Sequence, residues 1–549
     1  MIIVRNLFAC CFIAAGVFAQ DAATRADWPH HFGAYQAWRY SALNQINTTN
    51  VRQIAPVWAF QTGDEDGGLQ ATPIVVDGVM YLATSHNHIF AINAVTGREL
   101  WRYTYDLPKG FTIFYGPWNR GVAVGHGRVY VGTLDNSVVA VDQKTGREIW
   151  RVNIEDASQC GCNVTAAPLV VKDKVIVGVT GGDSAHRGYI TAFDAATGRQ
   201  AWRFWTIPAK GEKGSETWEG DSWKYGGGSS WMTGSYDPEL NHVYWSVGNP
   251  AADFYGGSRK GDNLYTDSVV ALDADTGKLK WYFQQVPHDV WDFDTAYENI
   301  LLDLPVKGQT RKLLLNVNKG GYVFVIDRTN GKFVSGYPIV KHINWIKGTD
   351  ENGRLIGRNE PEVGKSTLIC PAIGGGRSWN QAAYSPVSQL LYTTAIEWCQ
   401  DVVAQPEEPV EGKTFFGGTF VPRDPPGERS YSHLDAVDPV TGARKWTYRS
   451  KYPLLASVLA TAGDLIFTGD PEGYFFALDA RTGEKLWQFQ TGSGNRGSSI
   501  TYSVNGRQYI ATPSGWGSAV AGLVAQVWPE AERFRRGSTM FVFALEERH

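Results

Sequence analysis

An apolar run, a polar turn centred on Thr-Gly and a second run ending in Trp recur six times along this chain. The segments are AINAVTGRELW (91–101), AVDQKTGREIW (140–150), AFDAATGRQAW (192–202), ALDADTGKLKW (271–281), AVDPVTGARKW (436–446) and ALDARTGEKLW (477–487). A seventh, VIDRTNGKFVS (325–335), keeps the turn but has Ser335 in place of the tryptophan. Each unit predicts a strand, a tight turn and a second strand. The Gly supplies the positive φ of the turn, and the Trp a large apolar surface that wedges between neighbouring sheets. Self-similarity at wide spacing marks a repeat architecture, and radially stacked four-stranded sheets satisfy it: an all-β propeller with tryptophan-docking repeats. Two half-repeats complete the pattern. PVWAFQTG (56–63) resembles the second half of a unit, as in WQFQTG (487–492), and MFVFALEE (540–547) reads as a strand without its Thr-Gly partner. Pairing these N- and C-terminal strands closes an eighth blade and removes an exposed sheet edge. The expected fold is therefore eight-bladed, one domain over 20–549.

The remaining composition adds three points. Of 549 residues, 43% are hydrophobic and 21 are Trp, enough for a large packed interior, and 61 glycines fit a fold made of tight turns. A net charge of −4 gives no electrostatic case for nucleic acid. At the N-terminus, Arg5 precedes an apolar run over 7–19 that ends Val17-Phe18-Ala19, the pattern of a secretory signal peptide (1–19) cut after Ala19. The run is short for a membrane span, so the expected mature protein is exported, with no span. Cleavage removes Cys10 and Cys11 and leaves four cysteines, an even number that favours disulfides in an exported chain. Cys370 and Cys399 flank strand-like sequence; Cys160 and Cys162 form a tight pair whose state stays open. No CxxCH occurs, so no c-type haem is attached to this polypeptide.

Long intervals interrupt the repeats, with a Gly-rich stretch (211–234), a polar insertion (342–365) and a Pro-rich insertion (405–426). Such insertions belong on loops at one face of a propeller, where function concentrates. Four polar positions lie between repeats, where strand ends meet the central channel: Asp183 in VTGGDSAHRG, Asn249 in SVGNPAADF, and Asp292 and Asp294 in PHDVWDFD. Three carboxylates and an amide oxygen make an all-oxygen set suited to a hard cation such as Ca²⁺; a solvated Asp-rich turn is the alternative.

The repeats together with GGGSSW (226–231), VGNP (247–250) and HDVWDFD (288–294) resemble the quinoprotein alcohol dehydrogenases, which use pyrroloquinoline quinone (PQQ), from about Trp28 to the C-terminus. The resemblance implies an eight-bladed propeller holding PQQ and a metal near its axis, oxidising a small primary alcohol. It assigns Asp292 as the general base, and Asp183, Asn249, Asp292 and Asp294 as metal ligands. It assigns Trp231 as the aromatic stacked on PQQ. It also assigns Gln70, Arg120, Thr165, Gly181, Gly182, Ser229, Lys319 and Ser378 as cofactor-binding. Asp294, two residues past the base, marks the members that use a lanthanide ion in place of Ca²⁺; a trivalent ion wants more negative charge. Cys370 and Cys399 match the family's structural disulfide. Electrons are expected to leave to a soluble cytochrome c, and a homodimer is one oligomeric option.

Several positions depart from the family pattern. Asp183 stands where a Glu ligand is usual, one methylene shorter. Gln70 replaces a Glu near the quinone, Phe114-Tyr115 replaces adjacent cysteines above it, Ser378 replaces an Asn, and Leu455 replaces a Trp that narrows the substrate pocket. The last change predicts a wider pocket and a larger alcohol. Two other readings stand beside the leading one: a PQQ-dependent aldehyde or sugar dehydrogenase, and a cofactor-free propeller scaffold.

Overall fold

The structure, a computed structural model, describes residues 26–546; the expected signal segment lies outside them. Eight sheets of four or five strands follow one another among the described residues. The first runs Ile74–Val76, Val79–Ala83, Ile89–Asn93 and Glu99–Tyr103, each strand antiparallel to the last. Six more sheets follow in chain order, and the two-residue strand Tyr40–Ser41 adds in parallel to one of them. The last sheet is assembled from both ends of the chain: Ile54–Gln61 pairs antiparallel with Thr539–Leu545, which continues into Arg507–Ser514 and Ile500–Val504.

The repeated residues explain the repeated hairpin. In each Thr-Gly turn the preceding Asp or Asn accepts local backbone amides, as Asp142 Oδ1 does from Lys144 N (3.1 Å) and Thr145 N (2.8 Å). Beyond the turn each Trp sits directly across from the small Ala of its own unit, in the pairs Trp101–Ala91, Trp150–Ala140, Trp202–Ala192 and Trp281–Ala271. A register shift falls beside these pairs and twists the hairpin.

The indole then reaches the following sheet. Trp101 Nε1 donates to Gln143 O (3.1 Å), Trp150 to Ala195 O (3.2 Å) and Trp446 to Ala480 O (3.0 Å). Its ring covers the next turn glycine so closely that a Cβ on Gly146 would stand 2.5 Å from Trp101, and one on Gly277 2.5 Å from Trp202. The Gly is thus fixed twice, by its φ and by the neighbouring indole. In the unit without a Trp, Tyr337 does the same work two residues later. Its ring lies on Gly442, and its hydroxyl donates to Pro439 O (3.1 Å). From the other end, Trp58 of the closing sheet covers Gly97 and donates to Ala94 O (3.2 Å).

The Pro-rich insertion contributes Gly418–Arg423 to a separate three-stranded sheet with Thr367–Ile369 and Cys399–Ala404. Cys370 and Cys399 are bridged at its base. Cys160 and Cys162 are bridged as well, which answers the point the sequence left open. No helix among the described residues is long and apolar enough to cross a membrane.

Candidate active site

The connections between and within the sheets converge on a cavity of about 510 Å³. Gln70, Arg120, Thr165, Gly181, Gly182, Asp183, Ser229, Trp231, Asp292, Asp294, Lys319 and Ser378 all line it. Asn249 stands directly behind, its Nδ2 donating to Asp183 Oδ1 (3.1 Å) and its backbone N to Asp294 Oδ1 (3.3 Å). Gly182 keeps this space open: a Cβ there would meet Asn249 Oδ1 at 2.4 Å and Ser229 Oγ at 2.8 Å.

The two aspartates of the 287–294 loop are interleaved with buried aromatic residues. Trp291 and Phe293 are fully buried against Trp345, so Asp292 and Asp294 turn the opposite way, into the cavity. Asp289 holds the loop from behind, accepting from Trp291 N (2.8 Å) and Phe293 N (2.7 Å). Arg358 clamps its start through Pro287 O (2.6 Å) and His288 O (2.7 Å). Asp292 itself has φ +60°, a left-handed conformation that Asp tolerates better than most residues and that strongly held neighbours maintain here.

Electrostatically the cavity has two sides. On one, single oxygens of Asp183, Asp253 and Asp292 lie within 4.8 Å of one another. Lys319 Nζ reaches Asp292 Oδ2 (2.8 Å) and Asp294 Oδ2 (3.2 Å), and Trp231 Nε1 reaches Asp294 Oδ1 (3.3 Å). Burial pushes the Asp183 carboxyl up to about 6. Burial pushes Asp292 well above the carboxylate range, with Lys319 opposing; Asp253 goes the same way, burial first and then Asp183. For Lys319 burial works against the charge, but Asp292 and Asp294 outweigh it and hold the ammonium well above its ordinary value.

On the other side two guanidiniums lie against Trp379, Arg120 at 4.8 Å and Arg496 at 4.1 Å from its ring, and Arg120 also lies 4.8 Å over Trp231. Burial lowers Arg120 to about 9, and burial followed by repulsion from Arg120 takes Arg496 well below the guanidinium range. Arg120 donates to Thr165 Oγ1, and Arg496 to Ser378 Oγ (3.1 Å) and Leu455 O (2.6 Å).

Several buried polar atoms here find no partner: Asp292 Oδ1, Asp253 Oδ2, Gln70 Oε1, and Nε of both Arg120 and Arg496. Such groups are costly to leave unmade. Unanswered carboxylate oxygens fit a cation, and unanswered guanidiniums beside a Trp plane fit a flat polyanion. The site therefore fits both PQQ and a hard metal ion.

Comparison with known proteins agrees. The family described as "PQQ: Glucose/ethanol/alcohol dehydrogenase, beta-propeller domain" matches residues 28–343 and 449–510. The quinoprotein alcohol dehydrogenase PedH of Pseudomonas putida is 38% identical over 535 residues, 93% of this chain and 89% of that protein. The chain belongs to the PQQ-dependent quinoprotein alcohol dehydrogenases. A quinohemoprotein alcohol dehydrogenase of Comamonas testosteroni is 36% identical over 92% of this chain and 75% of that one. Among solved structures, a europium-containing methanol dehydrogenase superposes with a TM-score of 0.90 at 32% identity, covering 96% of this chain and 99% of that one.

In this quinoprotein two residues at the site escaped sequence reasoning, Asp253 behind the cavity wall and Arg496 on its lining. Asp253 lies four residues past Asn249, and Arg496 is a lone cation in the Ser/Gly-rich segment TGSGNRGSS. Tyr115, one of the two residues expected above the quinone, has φ +63° and places its hydroxyl 2.5 Å from Ser184 Oγ at the cavity rim. The Leu455 side chain packs among Trp516, Val524 and Trp528 and is not among the residues that line the cavity. The apolar wall comes instead from Ile373, Phe416, Phe420, Val520 and Leu523. Phe416 is carried in by the insertion, which bonds to the Asp183 loop through Phe415 N to Asp183 O (2.8 Å) and Ala185 N to Lys413 O (3.0 Å). Val520 and Leu523 belong to the helix Ala519–Val527, capped by Ser518.

Proposed function

We propose that this chain oxidises a primary alcohol to an aldehyde with PQQ and a lanthanide or calcium ion held in this cavity, Asp292 acting as general base. The observation that carries the reading is Asp292: Oδ2 is held by Lys319 while Oδ1 is buried, free and directed at the cavity. When bound, PQQ supplies a two-electron quinone acceptor and the cation Lewis acidity. Lys319 opposes the burial that raises Asp292, a bound cation would lower it further, and the ionised Oδ1 would then take the proton of the substrate hydroxyl. Asp183, Asn249, Asp292 and Asp294 would hold the cation. Arg120 and Arg496 would pair the cofactor's carboxylates, with Trp231 beneath its plane and Gln70, Thr165, Ser229 and Ser378 as hydrogen-bonding neighbours. Ile373, Phe416, Phe420 and Leu523 exclude water and offer an apolar surface to the alcohol's carbon chain. That wall favours an alcohol over a sugar, whose hydroxyls would lose water there without replacement. Electrons would pass to a separate acceptor, a soluble cytochrome c, in the periplasm.

The test is reconstitution of purified apo-protein with PQQ plus La³⁺ or Ca²⁺, followed by dye-linked oxidation of an alcohol and aldehyde panel. Turnover of primary alcohols with either ion supports the enzyme reading, and the better ion identifies the metal. Absence of PQQ binding with both ions would return the chain to the scaffold reading.

A further inference from the structure

Asp253 is the member of the carboxylate cluster that the protein itself leaves unanswered. It is fully buried. Its Oδ1 accepts from Asn249 Nδ2 (2.9 Å), and its Oδ2 has no partner. The same Asn249 amide edge also serves Asp183, so one neutral donor faces two carboxylates. Lys319, the cation nearest the cluster, is engaged by Asp292 and Asp294. Asp294 differs: Oδ1 meets Trp231 Nε1 and Asn249 N, and Oδ2 meets Lys319, so both of its oxygens have partners within the protein. The unpartnered oxygens belong to Asp253 and Asp292, two of the three residues whose oxygens lie within 4.8 Å of one another.

We propose that Asp253 is an inner-sphere ligand of the cation, beside Asp183, Asn249 and Asp292, and that this carboxylate biases the site towards a trivalent ion. The inference rests on the reading that the cavity holds a cation. Asp183 is a short side chain, and Asp253 supplies a further oxygen on the same side of the cluster. An exchange of Nδ2 and Oδ1 at Asn249 would present its carbonyl oxygen to the same point, with little change of shape. The attraction of one more carboxylate scales with the charge of the ion, so it favours a trivalent over a divalent cation of similar radius.

The experiment titrates Eu³⁺ into purified apo-protein, wild type and Asp253→Asn, and reads luminescence lifetimes in H₂O and D₂O to count the waters on the ion. PQQ binding is followed in parallel by absorbance. Asn preserves the bond from Asn249 and nearly the whole shape, and Asp253→Ser serves as the second variant. The expected result is an Eu³⁺ affinity at least about tenfold weaker in Asp253→Asn, with a smaller loss for Ca²⁺, and about one additional water on Eu³⁺ in Asp253→Ser, whose side chain no longer reaches the ion. An Eu³⁺ affinity within about twofold of wild type in Asp253→Asn, with an unchanged water count in Asp253→Ser, would overturn the ligand role while PQQ binding left the enzyme reading standing. A wild type that binds no Eu³⁺ in a site sensitive to Asp292→Asn would remove the cation reading and this inference together.

Discussion

Glu397 is buried as completely as Asp292, yet the two carboxylates are treated in opposite ways. Glu397 ends the strand Leu390–Glu397, and the chain saturates it. Oε1 accepts from Lys341 N (2.6 Å) and His433 Nε2 (3.1 Å), and Oε2 from His342 N (2.9 Å) and His342 Nδ1 (2.9 Å). Burial works to raise this carboxyl, but His433 and the two amides outweigh it and bring it to about 2. His433 in turn goes up to about 9: burial opposes the charge, and Asp435 and Glu397 outweigh burial. Around Asp292 the chain withholds that answer, and burial wins. A buried charge with every lone pair matched is scaffold. One left half-matched, in a cavity, is prepared for something the chain does not contain.

Substitutions at the two sites should therefore separate activity from stability. Asp292→Ala is expected to lower turnover by about 10³-fold or more in the dye-linked assay. Its melting temperature should hold or rise, because removing the carboxylate relieves crowding among Asp183, Asp253 and Asp294. Substantial remaining turnover would end its role as base. Glu397→Ala should do the reverse, costing about 3–5 kcal/mol in denaturant unfolding and leaving kcat of the folded fraction near wild type. Arg496→Gln is expected to weaken PQQ binding by about 10- to 100-fold, the loss of one charge-assisted contact, with little change in stability. Unaltered PQQ affinity would place Arg496 with the scaffold.

The smallest effect is in pH. His433 has a folded value raised from 6.5 to about 9, so its stabilisation is fully present below 6.5 and is lost as pH rises towards 9. Asp183 has a folded value raised from 3.8 to about 6, so the apo cavity becomes less favourable as pH rises through that interval. Apo-protein stability should accordingly peak on the acid side of neutrality, and His433→Gln should flatten the loss between 6.5 and 9 in thermal melts. A wild-type stability that climbs across that interval would contradict the assignment.

Much of this molecule is local, and what is local is legible in the chain. Each Trp faces the Ala ten residues before it, and most turn glycines answer both their own φ and one indole; these relations repeat at fixed spacing, so they leave a pattern. The alternation in HDVWDFD is local too: with Trp291 and Phe293 buried, Asp292 and Asp294 must face the other way. Twelve expected positions, among them Gly181, Gly182, Asp183, Ser229, Trp231, Asp292 and Asp294, line the cavity, and each sits in a short motif.

Long-range placement is different. Tyr337 replaces the missing tryptophan two residues late because what matters is reach to Gly442, over a hundred positions away, and not the register of the repeat. Arg496 joins Arg120 and Trp379 from near the end of the chain, and Leu455 turns into a core formed with Trp516 and Trp528. Asp253 belongs to no motif of its own, and the fold sets it against Asp183 and Asp292. Sequence alone determined the repeating sheet, its turns and the alternation that aims the base. Only the tertiary structure decided which charges go unanswered, because a missing partner is a property of everything around an atom and of no single stretch of chain.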